Sequence, residues 1–244
     1  IARGFTHNLA IAEDGHVWAW GANTYGQLGN GKTALIGGAG QSLAVANVKQ
    51  VSAGQTHSLA VDSAGRVWAW GGNLSGQIGN GSNSNQSTPV QLSAPTNAVA
   101  VAAASLSSVA LTKDGNVWTW GDNKMGELGD GTTQNANVPH QVPGLSGVVE
   151  ICAGTDQVLA LKGDGSIWAW GGNTYGQLGY GTPSTSIPCP TPQRVQGIGA
   201  MAHISCGGYH NLAVAADGTI WAWGGNDQSQ LATSTTTTYY SLQP

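Results

Sequence analysis

The sequence predicts an all-β fold, a β-propeller of four-stranded antiparallel blades, and three observations carry the prediction. The ten tryptophans fall in five pairs, Trp18/Trp20, Trp68/Trp70, Trp118/Trp120, Trp168/Trp170 and Trp221/Trp223, spaced 50, 50, 50 and 53 residues apart. A period near fifty marks a tandem array in which each unit buries its apolar face on a neighbour. Each unit also carries a Gly hairpin signal between two apolar runs, and within both runs bulky and small side chains alternate as they do across a strand.

The chain reads as a single repeat domain over 1–244, with units at about 1–50, 51–100, 101–150, 151–203 and 204–244. The second unit shows every element in order: a short apolar strand VSAG, the strand HSLAV, the Ala64-Gly65 turn, the tryptophan strand RVWAWG, the loop GNLSGQIGNG and a last strand TPVQL. Elsewhere the hairpin is Asp14-Gly15, Asp114-Gly115, Asp164-Gly165 or Asp217-Gly218, the signal for a two-residue turn with positive φ. In the tryptophan strand Trp18 and Trp20 oppose Ala19; in the preceding strand Leu9 and Ile11 oppose Ala10. A sheet whose bulky face meets the small face of the next stacks into blades around an axis.

The recurring AG-x-x-H-x-L-A, DG, WAWG and G-x-N-x-x-G-Q-L-G-x-G segments resemble the repeat of the regulator of chromosome condensation family, and the resemblance covers essentially the whole chain. It implies a propeller of seven blades with about fifty residues each. Five copies stand here, so the chain is expected to be part of a seven-bladed ring, with a closed five-bladed ring as the alternative. The fifth unit has Ser229, Ala232 and Ser234 where its predecessor has Gly176, Gly179 and Gly181. Among relatives the resemblance implies guanine-nucleotide exchange factors, which work through a β-wedge inserted into a blade, and inhibitors of β-lactamases that act through a loop face. Here the spacing is uniform, with only three extra residues around Thr182 to Pro192, which speaks against a wedge.

Composition narrows the function. Charged residues make up 8% of the chain and the net charge is −4, with eight scattered Lys and Arg, so nucleic-acid binding is not expected. No stretch reaches the length of a membrane span. Solvation by uncharged polar groups suits an extracellular or cell-surface protein, with a cytoplasmic one as the alternative. Cys152, Cys189 and Cys206 lack metal-ligand spacing and indicate no disulfide framework; Cys152 and Cys206 read as small buried side chains, and their pairing is left open.

The candidate chemical motifs resolve into repeat structure. Gly26-Gln27-Leu28-Gly29-Asn30-Gly31-Lys32-Thr33 fits a phosphate-binding loop letter for letter, but that loop must open a helix, and Gly76/Gly81, Gly126/Gly131 and Gly176/Gly181 repeat the spacing without Lys-Thr. His7, His57 and His210 share a repeat position with Ser107 and Gln157, which points to hydrogen bonding with turn backbone rather than metal or acid–base work. Asn23, Asn73, Asn123, Asn173 and Asn226 are expected to bond their own loops, and Glu127 among Gln27, Gln77, Gln177 and Gln230 is no catalytic pair. The hairpin aspartates stand one per repeat, without clustered calcium ligands. No catalytic residue, metal site or cofactor is expected.

Parity in a meander puts the loop before the histidine strand and the long glycine loop at the same end of each blade. Phe5, Tyr25, Leu74, Met125, Tyr175 and Tyr209 fall there and form the expected partner-binding set. The expected function is a non-enzymatic module that binds a protein or glycan. The alternatives are a structural repeat of an extracellular layer or filament that self-assembles through its terminal blades, and a guanine-nucleotide exchange factor.

Overall fold

A computed structural model describes residues 1–42, 45–181, 188–231 and the backbone of 240–241. Most of the insertion expected around Thr182 to Pro192 therefore lies outside the described residues, as do Ala232 and Ser234. The fold is all-β, a β-propeller of four-stranded antiparallel blades. Its described strands form five sheets. The first holds β1 (Ala2–Arg3), β2 (His7–Ile11), β3 (Val17–Asn23) and β4 (Ala34–Gln41); the second holds β5 (Val48–Ala53), β6 (His57–Asp62), β7 (Val67–Gly71) and β8 (Gln86–Gln91). The third holds β9 (Ala98–Ala103), β10 (Ser107–Thr112), β11 (Val117–Gly121) and β12 (Ala136–Gln141); the fourth holds β13 (Val148–Ala153), β14 (Gln157–Lys162), β15 (Ile167–Gly171) and β16 (Cys189–Arg194). The last holds β17 (Met201–Cys206), β18 (His210–Ala215), β19 (Ile220–Gly225) and β20 (Tyr240–Ser241). The chain divides into two compact units, residues 1–122 with 135–141 and residues 123–134 with 142–244.

The hairpins differ from the expected two-residue turn. Gly15 N–H donates to the Ala12 carbonyl and Ala12 N–H to the His16 carbonyl, and the same pair of bonds recurs around Gly65, Gly115, Gly165 and Gly218. Only the glycine has positive φ, +78° at Gly15, whereas a type I′ turn needs it at both central residues. These are three-residue loops with the glycine in the left-handed bulge position. The aspartate instead accepts the amide two residues on, as Asp14 does from His16 (3.0 Å) and Asp164 from Ser166 (2.9 Å).

Register also corrects the expectation of one bulky and one small sheet face. Ala10 stands opposite Trp18, Asn8 opposite Trp20 and Leu9 opposite Ala19, so each tryptophan shares its face with a small or polar neighbour. Both faces of a blade are mixed. Nor are the two tryptophans equivalent: Trp70, Trp120, Trp170 and Trp223 are fully buried, whereas Trp68, Trp118, Trp168 and Trp221 are half-buried; in the first blade Trp20 is half-buried and Trp18 is 43% exposed.

In the first unit Trp70 enters a core with Leu9, Ala19 and Leu28 of the preceding blade and Val48 and Val51 of its own, and Trp120 one with Leu59, Ala69, Ile78 and Leu92. In the second unit Trp223 packs with Leu159, Ala169, Leu178 and Val195. Burying one such ring removes on the order of 200 Å² from water, an upper bound near 5 kcal/mol. The indole N–H of Trp70 donates to the Gln27 carbonyl (2.8 Å), that of Trp120 to Gln77 (2.8 Å) and that of Trp223 to Gln177 (3.0 Å). The loop passes so close that a Cβ on Gly79 would stand 2.8 Å from Nε1 of Trp120, and its φ of +81° already excludes most side chains.

Cys152 and Cys206 are not independent buried thiols: they form a disulfide between β13 and β17, closing a sequence separation of 54. Neighbouring blades meet one residue out of repeat register, so Cys152 faces the residue after its own repeat equivalent, Ser205. The first unit makes the same contact with Ser52 Oγ accepting from Ala103 N–H (2.9 Å). On chain entropy a loop of that length stabilises by about 4 kcal/mol. Cys152→Ser is accordingly expected to lower the denaturation midpoint of the second unit by a large step, and dithiothreitol to reproduce it. Identical midpoints with and without reductant would contradict the bond.

Candidate functional site

The long glycine loops are held from within. Asn23, Asn73 and Asn173 each accept on Oδ1 from the amide five residues on, Leu28 (3.0 Å), Ile78 (2.9 Å) and Leu178 (2.9 Å), and Asn123 does the same for Leu128. Asn23 Nδ2 also donates to the Lys32 carbonyl (2.9 Å). The next fixed point is the Gln position: Gln27, Gln77 and Gln177 accept on Oε1 from Tyr25 (3.0 Å), Ser75 (3.0 Å) and Tyr175 (2.8 Å) amides. Glu127 substitutes for the amide by accepting from Met125 N–H on Oε2 (2.8 Å). These side chains therefore serve loop structure, as their repetition suggests.

The phosphate-loop look-alike is accounted for in the same way. Residues 26–33 join strand β3 to strand β4, not to a helix. Their amides are spent: Leu28 on Asn23, Gly29 on the Gly26 carbonyl, Gly31 on the Ser87 carbonyl and Lys32 on Asn30 Oδ1. No row of free N–H groups remains at Leu28, Gly29, Gly31 and Lys32 to cradle a phosphate.

His7 and His57 bond to the next blade rather than to turn backbone. Ser58 Oγ–H donates to the Gln27 carbonyl (2.8 Å), leaving its oxygen to accept from His7 Nε2 (2.9 Å). Ser108 links Gln77 (2.8 Å) and His57 (3.0 Å) identically. Nδ1 of both rings is buried without a partner. Burial accordingly pushes the His7 pKa down to about 4; burial, helped by the charge on His7, pushes that of His57 down to about 3. Both rings are neutral structural groups at pH 7.

On these fixed loops the first unit exposes Phe5 (61%), Tyr25 and Leu74 (76%). In the second unit Met125 is half-buried, while Tyr175 and Tyr209 are exposed and brought together, ring centroids 5.0 Å apart and planes tilted by 53°. Among the described residues this is the only ring pair within the expected set. Sequence reasoning missed Asp156, whose Oδ1 accepts from Gln177 Nε2 (3.0 Å). Burial raises its pKa, and the Gln177 bond opposes the shift. The available signal was a lone acid where other repeats carry Thr6, Thr56, Leu106 and Tyr209.

Comparison with known proteins places this geometry. A family model described as an RCC1-like domain matches residues 1–244. The crystal structure of human WBSCR16 is similar at a TM-score of 0.87 and 26% identity, over 99% of this chain and 64% of that one. Prp20p from Saccharomyces cerevisiae, described with its binding to Gsp1p and histones, is similar at a TM-score of 0.81 and 25% identity, over 94% of this chain and 57% of that one. Yeast RCC1 (Prp20) bound to Kap60 shares the fold at a TM-score of 0.66 and 21% identity, over 100% of this chain and 73% of that one. The chain thus spans less than two thirds of the length of WBSCR16 and of Prp20p.

Proposed function

Because this chain belongs to the RCC1-like domain family, we propose that it is a non-enzymatic protein-binding module that engages its partner through the loops at the Asn-Gln end of its blades. The observation that carries this reading is the Tyr175–Tyr209 pair, two exposed rings in contact, Tyr175 on a loop fixed by Asn173 and Gln177 and Tyr209 held by its carbonyl, which accepts from the Gly225 amide (2.7 Å). Large amphipathic side chains on a rigid support lose little conformational entropy on binding, which is why they dominate hot spots. Prp20p, which binds Gsp1p and histones, supports protein rather than glycan as the partner class. The Cys152–Cys206 bond supports an extracellular or cell-surface location, where disulfides persist.

The test is capture from source extract by the tagged chain, with Phe5→Ala/Tyr25→Ala/Leu74→Ala and Tyr175→Ala/Tyr209→Ala as separate variants. A protein retained by the wild type is expected to be lost from at least one variant, by ~100-fold where two hot-spot rings are removed. Retention by both would overturn the assignment. A second reading, exchange on a small GTPase, is favoured by the likeness to Prp20p, which binds Gsp1p. It requires accelerated release of labelled GDP from the captured protein, and an unchanged release rate removes it.

A further inference from the structure

We infer that Tyr175, Tyr209 and Asp156 together receive a basic side chain, arginine or lysine, of the protein partner; this deepens the loop-side reading and rests on it. The two rings lie 5.0 Å apart at 53° and both remain about 40% exposed, so electron-rich ring surface is open to a cation.

The carboxylate belongs to the same cluster. Gln177 accepts from the Tyr175 amide (2.8 Å) with one end of its side chain and donates to Asp156 Oδ1 (3.0 Å) with the other. Thr155, next to Asp156, donates its amide to the carbonyl of Gly208, next to Tyr209 (2.8 Å). Gly172 leaves room for the side chain at this position, since a Cβ there would stand 2.4 Å from Asp156 Oδ2, as one on Gly72 would from Thr56 Oγ1. No described cation pairs with Asp156, which leaves Oδ2 to take a charge-assisted bond.

The molecule contains the completed version of this arrangement elsewhere. At the hairpin of the second blade, Arg66 Nε donates to buried Asp62 (2.7 Å) while its guanidinium lies 5.8 Å from the ring centroid of Trp68. Carboxylate, aromatic face and cation are all present there within one unit. At Tyr175, Tyr209 and Asp156 the first two are present and the cation is left for another molecule to bring. Nothing comparable stands at the equivalent positions of the first two repeats, where Thr6 and Thr56 replace the acid. The chain's net charge of −4 favours approach of a basic segment.

The experiment titrates the full chain with acetyl-Gly-Arg-Gly-amide and with its citrulline counterpart, which keeps the shape but replaces the charged guanidinium with a neutral urea, one NH2 donor giving way to a carbonyl oxygen, following tyrosine ring signals by NMR. The arginine peptide is expected to bind about 10-fold tighter. Asp156→Asn should abolish that preference, and Asp156→Thr, which installs the residue of the first two repeats, provides a second carboxylate-free variant if the first folds poorly. Tyr209→Ala should weaken the arginine peptide. Equal binding of the two peptides, no saturable binding of the arginine peptide, or a preference surviving in both Asp156 variants would overturn the inference. Failure of the loop-side reading is scored separately: it is capture of the whole partner retained in both loop variants, a result that peptide discrimination does not affect.

Discussion

Replacing Trp120 by alanine is expected to destabilise the first unit by about 3–5 kcal/mol, the range for removing a fully buried aromatic ring. The ring is wholly inside, packed among Leu59, Ala69, Ile78 and Leu92, and its N–H satisfies the Gln77 carbonyl (2.8 Å). Trp120→Phe isolates the polar part: it keeps most of the packing, leaves Gln77 bonded to Ser108 alone, and should cost about 1–2 kcal/mol. Trp118→Ala, two residues away in the same strand, removes a half-buried ring and should cost about 1 kcal/mol or less. Equilibrium denaturation of the three variants checks the order. Equal losses at Trp118 and Trp120 would contradict the division of this pair into one core ring and one rim ring.

Acid is expected to destabilise the first unit between pH 6.5 and about 4. Burial pushes the folded-state pKa values of His7 and His57 down to about 4 and about 3, from the 6.5 usual for histidine. The unfolded chain therefore binds more protons in that window, so the stabilisation is complete above pH 6.5 and is lost as pH falls, levelling off below the folded values. Each ring contributes a slope of about 1.4 kcal/mol per pH unit at most. The physical cause is visible: both rings are buried, Nε2 is committed to serine, and Nδ1 has no partner; for His57 the Ser107 backbone opposes the shift without overcoming burial. His7→Gln with His57→Gln should flatten the dependence of the denaturation midpoint on pH in this window. Glutamine is a fitting replacement because Gln157 holds the same repeat position, donating to the Gly207 carbonyl (3.2 Å). An unchanged slope in the double variant would contradict the account.

What the sequence makes legible here is whatever repeats within a single blade. The tryptophan strands, the hairpin glycines and the Asn and Gln loop fasteners recur at fixed offsets, and each copy confirms the others. What it hides is the fit between blades. Neighbours meet one residue out of register, so Cys152 pairs with Cys206, His7 with Ser58 and His57 with Ser108, at separations of 54, 51 and 51. A reading aligned on the period looks at the wrong partner each time. The same blindness made Trp68 and Trp70 look alike, because burial depends on which of them lies beneath the preceding blade's glycine loop. Of the expected binding set, exposure of Phe5, Tyr25, Leu74, Tyr175 and Tyr209 follows from loop position. Met125, at the same loop position, is half-buried, and Asp156 escaped notice because a single acid makes no motif.

The most direct test of the central claim, that the Asn-Gln loops bind the partner, is hydroxyl-radical footprinting of the captured complex against the free chain. The account predicts reduced oxidation at Tyr175 and Tyr209, or at Phe5, Tyr25 and Leu74, with Trp18, Trp118 and Trp168 unchanged. Protection of those three tryptophans with the loop residues still fully reactive would place the partner at the opposite ends of the blades and contradict it.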